Sequence, residues 1–391
     1  MSIRIIIEII DLLLWIIIAG NVFYVLFFAL ASLLPKKKTP PSSLSHQPSF
    51  LVLFPAYHED AVIIHSIESF LHQDYPKDSY HVVVISDNMS EETNQHLASL
   101  PITLLCPNFE KSSKAKALQH AISSISHHTS SVYDYVVILD ADNIVASDFL
   151  TQLSKVAHPS IAIQCHRTAK NADNDIAALD GLSEEINNSI FRKGHNRIGM
   201  SSALIGSGMC FDYHWFKANV TKLDSAVEDR ELEALLMMQG VHIHYAEDIL
   251  VMDEKVSNSD NFQRQRLRWM TGQVQAFLQM LPYLPKAVIT GNINYIDKTI
   301  QQALIPRSIL LVLTPILCII ASITSSIYHL KWWFTLALFI IGLYIAIPSQ
   351  LRTKSLLKKV FTIPQLVWHM SRIILHIKTS NKDFIHTIHS K

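Results

Sequence analysis

The stretch LLLWIIIAGNVFYVLFFALASLL, from Leu12 to Leu34, most constrains what this chain can become, because Asn21 is its only strongly polar residue. At about 1.5 Å of rise per residue, a helix of that length crosses a hydrocarbon core of about 30 Å. It is too long for the apolar region of a cleaved leader, and no small-residue cleavage pattern follows it. Lys36, Lys37 and Lys38 come next, which assigns that end to the cytoplasmic side. Two further apolar runs, Pro306 to Tyr328 and Trp332 to Pro348, read as spans joined by a short loop. Arg307 precedes the first; Arg352, Lys354, Lys358 and Lys359 follow the second. Both basic flanks belong inside, so the loop lies outside and the chain between Phe50 and about Gln302 is expected in the cytoplasm of a multi-pass protein of the cell (plasma or inner) membrane.

The organisation follows. Residues 1–34 are an anchor, the Pro/Ser-rich 35–49 a linker, 50–255 a soluble domain, 256–304 interfacial helices, 305–350 two spans and 351–391 a cytoplasmic tail with an amphipathic run. Lys plus Arg equals Asp plus Glu at 33 each, so no global charge favours nucleic acid. The four cysteines form no CxxC, which argues against a disulfide framework or zinc ribbon. The 20 histidines lack Cys partners and an HExxH pattern.

The soluble part alternates. FLVLFPAY, HVVVISD, ITLLC and YDYVVILDADN read as strands, with helices over AVIIHSIESFLHQ and KALQHAISSI. Continuously apolar strands separated by helices predict an α/β, doubly wound parallel sheet covered on both faces. Such sheets bind ligands at the carboxyl ends of their strands. Asp87 closes one strand, and Asp140 and Asp142 close another, where alternation in an extended chain sets both carboxylates on one side. That pair can hold a hard divalent cation whose shell is completed by phosphate oxygens. Asp87 serves equally well as a turn former. No GxGxxG or GKS/T loop is present.

ALIGSGMCF, Ala203 to Phe211, reads as a strand interrupted at Gly206, Ser207 and Gly208, by a bulge or by close approach to a ligand. Ser225 and Glu228 have capping-box spacing and predict a helix start that places Asp229 in the first turn. Those carboxylates are also ordinary helix-start residues. In FQRQRLRWMTGQ, a helix aligns Leu267, Met270, Val274, Phe277 and Leu281 in one stripe, while Gln265, Arg268 and Trp269 share another face. A guanidinium fork suits phosphate and an indole suits a sugar ring. A basic helix lying on anionic lipid has the same composition.

In order, FPAYHED, ISDN, KAKAL, LDADN, GSGM, VEDREL and QRLRW resemble the family-2 glycosyltransferases, and within them the membrane-embedded branch of cellulose, chitin, hyaluronan and poly-N-acetylglucosamine synthases and ceramide glucosyltransferases. The resemblance implies a GT-A fold and a nucleotide-sugar donor, commonly a UDP-sugar, with Mg²⁺ or Mn²⁺. It implies that Pro55, Tyr57, Glu59 and Asp87 meet the nucleotide. Lys116 falls near it too, although Ala115 replaces the glycine usual between the two basic residues. Asp140 and Asp142 match the metal-binding DxD, with Asp142 the direct ligand. Asp229 matches the catalytic base of a Thr-Glu-Asp motif in which Val227 replaces the threonine. Gln265 and Arg268 match diphosphate-binding positions and Trp269 the acceptor platform, with Gly206, Ser207, Gly208 and Glu228 also on the acceptor side. The expected activity is inverting sugar transfer to a growing polysaccharide. Transfer to a lipid acceptor and an inactive membrane scaffold are the alternatives. Three spans are few for one chain to form a channel, so polymer export implies a homo-oligomer or a partner.

Overall fold

The computed structural model describes residues 3–36, 46–128, 133–171, 175–225, 227–255, 259–324 and 329–352. Most of the expected linker, part of the short outer loop and nearly all of the tail, including Lys354, Lys358 and Lys359, lie outside the described residues. The chain divides into two compact units: one of residues 1–36, 182–199 and 303–377, the other of residues 37–181, 200–302 and 378–391.

The first unit holds three helices long and apolar enough to cross a membrane, with windows at Ile5–Ala31, Arg307–Thr324 and His329–Ala346. The first begins at Ile3, earlier than the apolar run suggests, and so carries Asp11 into the helix. Asp11 is neutralised in place: its carboxylate pairs with Lys331 and accepts the Trp332 indole N–H at 2.7 Å. The Asn21 amide is equally occupied, donating to the Ile17 carbonyl and accepting the Ile305 N–H, each at 2.8 Å. Polar groups in an apolar helix are tolerated when they are bonded within the bundle in this way.

The second unit is built on one mixed sheet of eight strands: β1 (Phe50–Tyr57), β2 (Tyr80–Asp87), β3 (Thr103–Leu105), β4 (Tyr135–Ile138), β5 (Ile144–Val145), β6 (Ile161–Ala169), β7 (Met209–Asp212) and β8 (His242–Asp253). Their order is β3-β2-β1-β4-β7-β6-β8-β5. The first four run parallel, as the apolar strands predicted. Both faces are covered: Leu51, Leu53, Val83 and Ile85 join one buried cluster, and Phe50, Val52, Val82 and Val84 the other. The sheet is not parallel throughout: β7 runs against both β4 and β6, and β5 runs against β8. A continuous apolar run encodes burial on both faces and carries no direction, so the reversal is invisible in sequence.

Three local expectations also change. The predicted Ala203–Phe211 strand exists only from Met209, preceded by an irregular segment with φ of +86° at Gly206 and +63° at Gly208. The Asp140–Asn143 segment is a turn and not extended chain, with the Asn143 N–H donating to the Asp140 carbonyl at 3.1 Å. The capping box does not form: Val227 is the N-cap of helix Glu228–Met238, and Glu231 reaches back to accept the Asp224 and Ser225 N–H groups at 3.0 and 3.1 Å.

Candidate active site

The carboxyl ends of β1, β2 and β4 bring the first group of residues together. Tyr57 stands opposite Asp87 in the parallel register, with Pro55 opposite Ile85. The chain then turns sharply at His58 and Asn88, both at φ +54°. Asp87 is buried and accepts the Asn88 amide at 3.0 Å. Burial raises its pKa, while Ser112, His58 and Lys116 act in the opposite direction. Lys116 is exposed and its ammonium donates to the Lys111 carbonyl at 2.7 Å.

The lysine two residues earlier matters more. Lys114 pairs with Asp140, donates to the Gly206 carbonyl at 2.7 Å and lies 3.6 Å from Glu228. One ammonium thus bridges the β4 turn, the Gly206 segment and the start of the Asp229 helix. The sequence motif KAKAL offered two lysines two residues apart, and helical spacing sends them in different directions.

Asp140 and Asp142 occupy different surroundings within one turn. Asp140 is partly open, with Arg167 4.0 Å from its second oxygen. Asp142 is buried and accepts the Glu254 N–H at 3.0 Å and the Asn143 amide at 3.1 Å. Burial, then Asp253 and Asp140, pushes the Asp142 carboxyl well above the usual range. Glu59 is pushed up to about 9 by burial first, then by Asp142 and Asp140. Asp253, Arg167 and Lys255 complete this patch, with Lys255 2.7 Å and Arg167 3.8 Å from Asp253. These three lie at or near strand ends, outside every motif quoted above, and so were not foreseen.

Carboxylates that repel one another in a buried turn are a hard-oxygen donor set suited to a divalent cation. Among the described residues, no group of three or more His, Cys, Asp or Glu side chains is arranged to hold a metal ion by itself. The Asp140 and Asp142 carboxylates fit Mg²⁺ or Mn²⁺, hard cations held by one or two carboxylates together with substrate phosphate.

On the other side, Glu228 is buried and its pKa is raised to about 7, by burial first and by Asp229, against the pull of Lys114. Asp229 accepts its neighbour's N–H, from Arg230, at 2.9 Å. A Cβ built on Gly206 would stand 3.7 Å from Asp229 Oδ2 and 3.8 Å from Glu228 Oε1, so the Gly206 segment and this carboxylate pair face each other. Helix Ser259–Met280 brings Arg268 within the field of Glu228, Asp140 and Asp229, whose charges support its guanidinium against burial. Trp269 lies 4.9 Å from the Arg266 guanidinium, which pairs with Asp180. Arg266 is therefore committed within the protein.

Within this helix Gly272, Ala276 and Met280 are buried, while Val274 and Leu278 are exposed. Gly272 is needed because a Cβ there would overlap Val227, the N-cap of the Asp229 helix. Gly272→Ala is expected to cost about 1–3 kcal/mol of stability through overpacking and to lower kcat. Adding Val227→Ala should recover most of both, as a double-mutant cycle of melting temperature and turnover would register.

Set against known proteins, residues 47–272 match the family described as Glycosyltransferase like family 2. The chain is a family-2 glycosyltransferase. A beta-monoglucosyldiacylglycerol synthase of Trichormus variabilis is 24% identical over 249 residues, covering 59% of this chain. The match takes in 50% of that relative, so this glycosyltransferase spans about half the length of the curated relative it matches. The mannosyltransferase PcManGT of Pyrobaculum calidifontis, solved with GDP-Man and Mn²⁺, superposes with a TM-score of 0.58 at 17% identity, over 95% of this chain and 99% of that one. That likeness shows the GT-A-type α/β fold.

Proposed function

We propose that this family-2 glycosyltransferase moves one hexose, with inversion, from a nucleotide sugar to the hydroxyl of a membrane lipid such as diacylglycerol. UDP-glucose is the first donor to test. Lys114, Asp140, Glu228, Asp229 and Arg268 meeting around the Gly206 segment support transfer chemistry. In this reading Asp229 takes the proton of the acceptor hydroxyl as its oxygen bonds to the anomeric carbon, and the bond from that carbon to the diphosphate oxygen breaks. Arg268 and Lys114 supply positive charge beside the departing diphosphate. Asp142 and Asp140 would hold Mg²⁺ or Mn²⁺, which when bound stabilises that leaving group. Tyr57, Asp87 and Lys116 are assigned to the nucleoside, and Trp269 to the acceptor.

The observation that favours a lipid acceptor comes just after Trp269. Val288, Ile289 and Ile293 are 59%, 85% and 66% exposed. Helix Ile293–Ala303 buries Asp297, Lys298, Gln301 and Gln302 while leaving Ile300 outside. Ile296 packs against the core, but a helix that buries Asp297 and Lys298 while leaving Ile293 and Ile300 exposed presents an apolar surface outward. Residues 256–304 are accordingly assigned to the membrane surface, with the spans and the cytoplasmic orientation read from the basic flanks. The curated relative's name, a diacylglycerol glucosylating enzyme, points the same way.

Purified full-length protein with labelled UDP-glucose, Mn²⁺ and diacylglycerol in mixed micelles should yield a lipid carrying one sugar, identified by mass. A ladder of products without lipid would instead favour the polysaccharide synthases. Other donors, GDP-mannose included, belong in the same screen.

The pH profile is a second expectation. Glu228, with its pKa raised to about 7, takes up a proton as the pH falls through that value and loses its attraction for Lys114. Turnover should therefore decline on the acid side of pH 7, and Glu228→Gln should remove that limb while lowering the plateau. An acid limb unchanged in Glu228→Gln would assign it to another group.

A further inference from the structure

The segment Leu204–Gly208 has no regular structure, yet every residue in it is bonded through its backbone to a fixed partner. The Leu204 N–H donates to Glu233 Oε2 at 2.8 Å. The Ile205 N–H donates to Gln164 Oε1 at 3.0 Å, and its carbonyl accepts from Arg167 at 3.4 Å. The Gly206 carbonyl accepts from Lys114 at 2.7 Å and the Ser207 carbonyl from Gln164 Nε2 at 2.8 Å. Gly208 exchanges bonds with the Ile138 carbonyl and the Cys165 N–H at 2.9 and 2.7 Å.

Gln164 is fully buried and Glu233 is 4% exposed. A connecting loop could leave its polar groups to water; burying an amide and a carboxylate is costly unless each is bonded. Here the Glu233 carboxylate accepts from Leu204, and the Gln164 amide serves Ile205 and Ser207 while also donating to the Cys165 carbonyl at 2.9 Å. Burial raises the Glu233 pKa, and the charge of the fully buried Lys298 works against that rise, favouring the carboxylate that accepts from Leu204. Glu233 is also four residues beyond Asp229, so both lie on one face of the same helix. The segment is tied to the helix that carries Asp229, at a point where Gly206 faces that carboxylate.

We propose that Glu233 and Gln164 are positioning residues for glycosyl transfer, holding Leu204–Gly208 against the Asp229 helix as a rigid wall of the acceptor subsite. The wall admits the acceptor hydroxyl to Asp229 in preference to water. Neither side chain touches substrate. The inference rests on the reading of Asp229 as the base, and it adds what decides between transfer and wasteful hydrolysis of the donor.

The test uses full-length protein in detergent, with UDP-glucose, Mn²⁺ and diacylglycerol micelles, scoring glycolipid and free glucose separately. Because a displacement of about 1 Å costs about a hundredfold in rate, Glu233→Leu and Gln164→Leu are expected to lower transfer kcat by about that factor. The ratio of free glucose to glycolipid should rise by about tenfold in the same variants, with UDP-glucose binding within about twofold of wild type. Glu233→Gln keeps an oxygen for the Leu204 N–H and should recover much of the transfer. Should the leucine variants fail to fold, Gln164→Glu preserves volume but sets a carboxylate against the Ser207 carbonyl, and should shift the ratio the same way. Unchanged kinetics, or hydrolysis and transfer falling in parallel, would overturn the proposal. If wild type releases glucose but forms no glycolipid, the lipid reading falls separately; the two expected factors together mean that free-glucose release in Glu233→Leu falls about tenfold, and a release equal to wild type would then overturn the positioning role.

Discussion

Asp229→Asn is expected to reduce sugar transfer by about a hundredfold to ten-thousandfold, the range for losing a positioned general base, while binding of nucleotide sugar with Mn²⁺ persists. The substitution keeps the volume and the oxygen that accepts the Arg230 N–H, so the helix start should remain intact. It removes the group facing Gly206 that can take up a proton. Titration calorimetry of donor binding alongside transfer kinetics separates the two effects. Full turnover in the variant would exclude Asp229 as the base, and Glu228 would be the next residue to test. Loss of donor binding in parallel would instead assign Asp229 to the donor.

Lys114→Met is expected to be nearly as damaging, for a different reason. Its ammonium bridges Asp140, Glu228 and the Gly206 carbonyl, so its removal leaves several groups short of a partner at once. Breaking a buried ion pair costs about 3–5 kcal/mol; the partial exposure of Asp140 brings the expectation to the low end of that range. Removal of one preorganised charged donor lowers kcat by about a hundredfold to a thousandfold. Lys114→Arg should retain the charge but lose geometry, since a planar fork cannot reach three acceptors arranged for a point charge. Lys116→Met, by contrast, should leave kcat nearly unchanged and affect donor affinity alone, because its side chain is exposed and bonded to the Lys111 carbonyl. Steady-state kcat and donor KM for the three variants check the assignment. Equal effects of Lys114→Met and Lys116→Met on kcat would refute it.

The helices after Trp269 show how far a hydrophobic pattern alone can be followed. Periodicity identified the Ser259–Met280 helix and set Val274 and Leu281 in one apolar stripe, and both are exposed. What packs inward is Gly272, Ala276 and Met280. Small residues are selected there by close helix approach, and a glycine contributes almost nothing to a hydrophobic periodicity. Helix Ile293–Ala303 inverts the usual rule by burying Lys298 and Gln302. Only the partners explain this: Arg230 bonds to Gln302, and the charge of Lys298 acts on Glu233.

The sequence by itself determined the three apolar helices, the first four parallel strands and the aspartates at their ends. Each of these depends on short-range physics: the length of an apolar run, alternation with amphipathic helices, and a carboxylate placed where a strand stops. Tertiary structure alone decided the direction of β7, the choice of Lys114 over Lys116, and the gathering of Arg167, Asp253, Gln164 and Glu233 around the site. Those outcomes depend on which backbone groups meet across stretches of chain far apart in sequence. No local pattern records that a carboxylate at Glu233 will find the N–H of Leu204, because the bond exists only once the sheet has closed and excluded water from both.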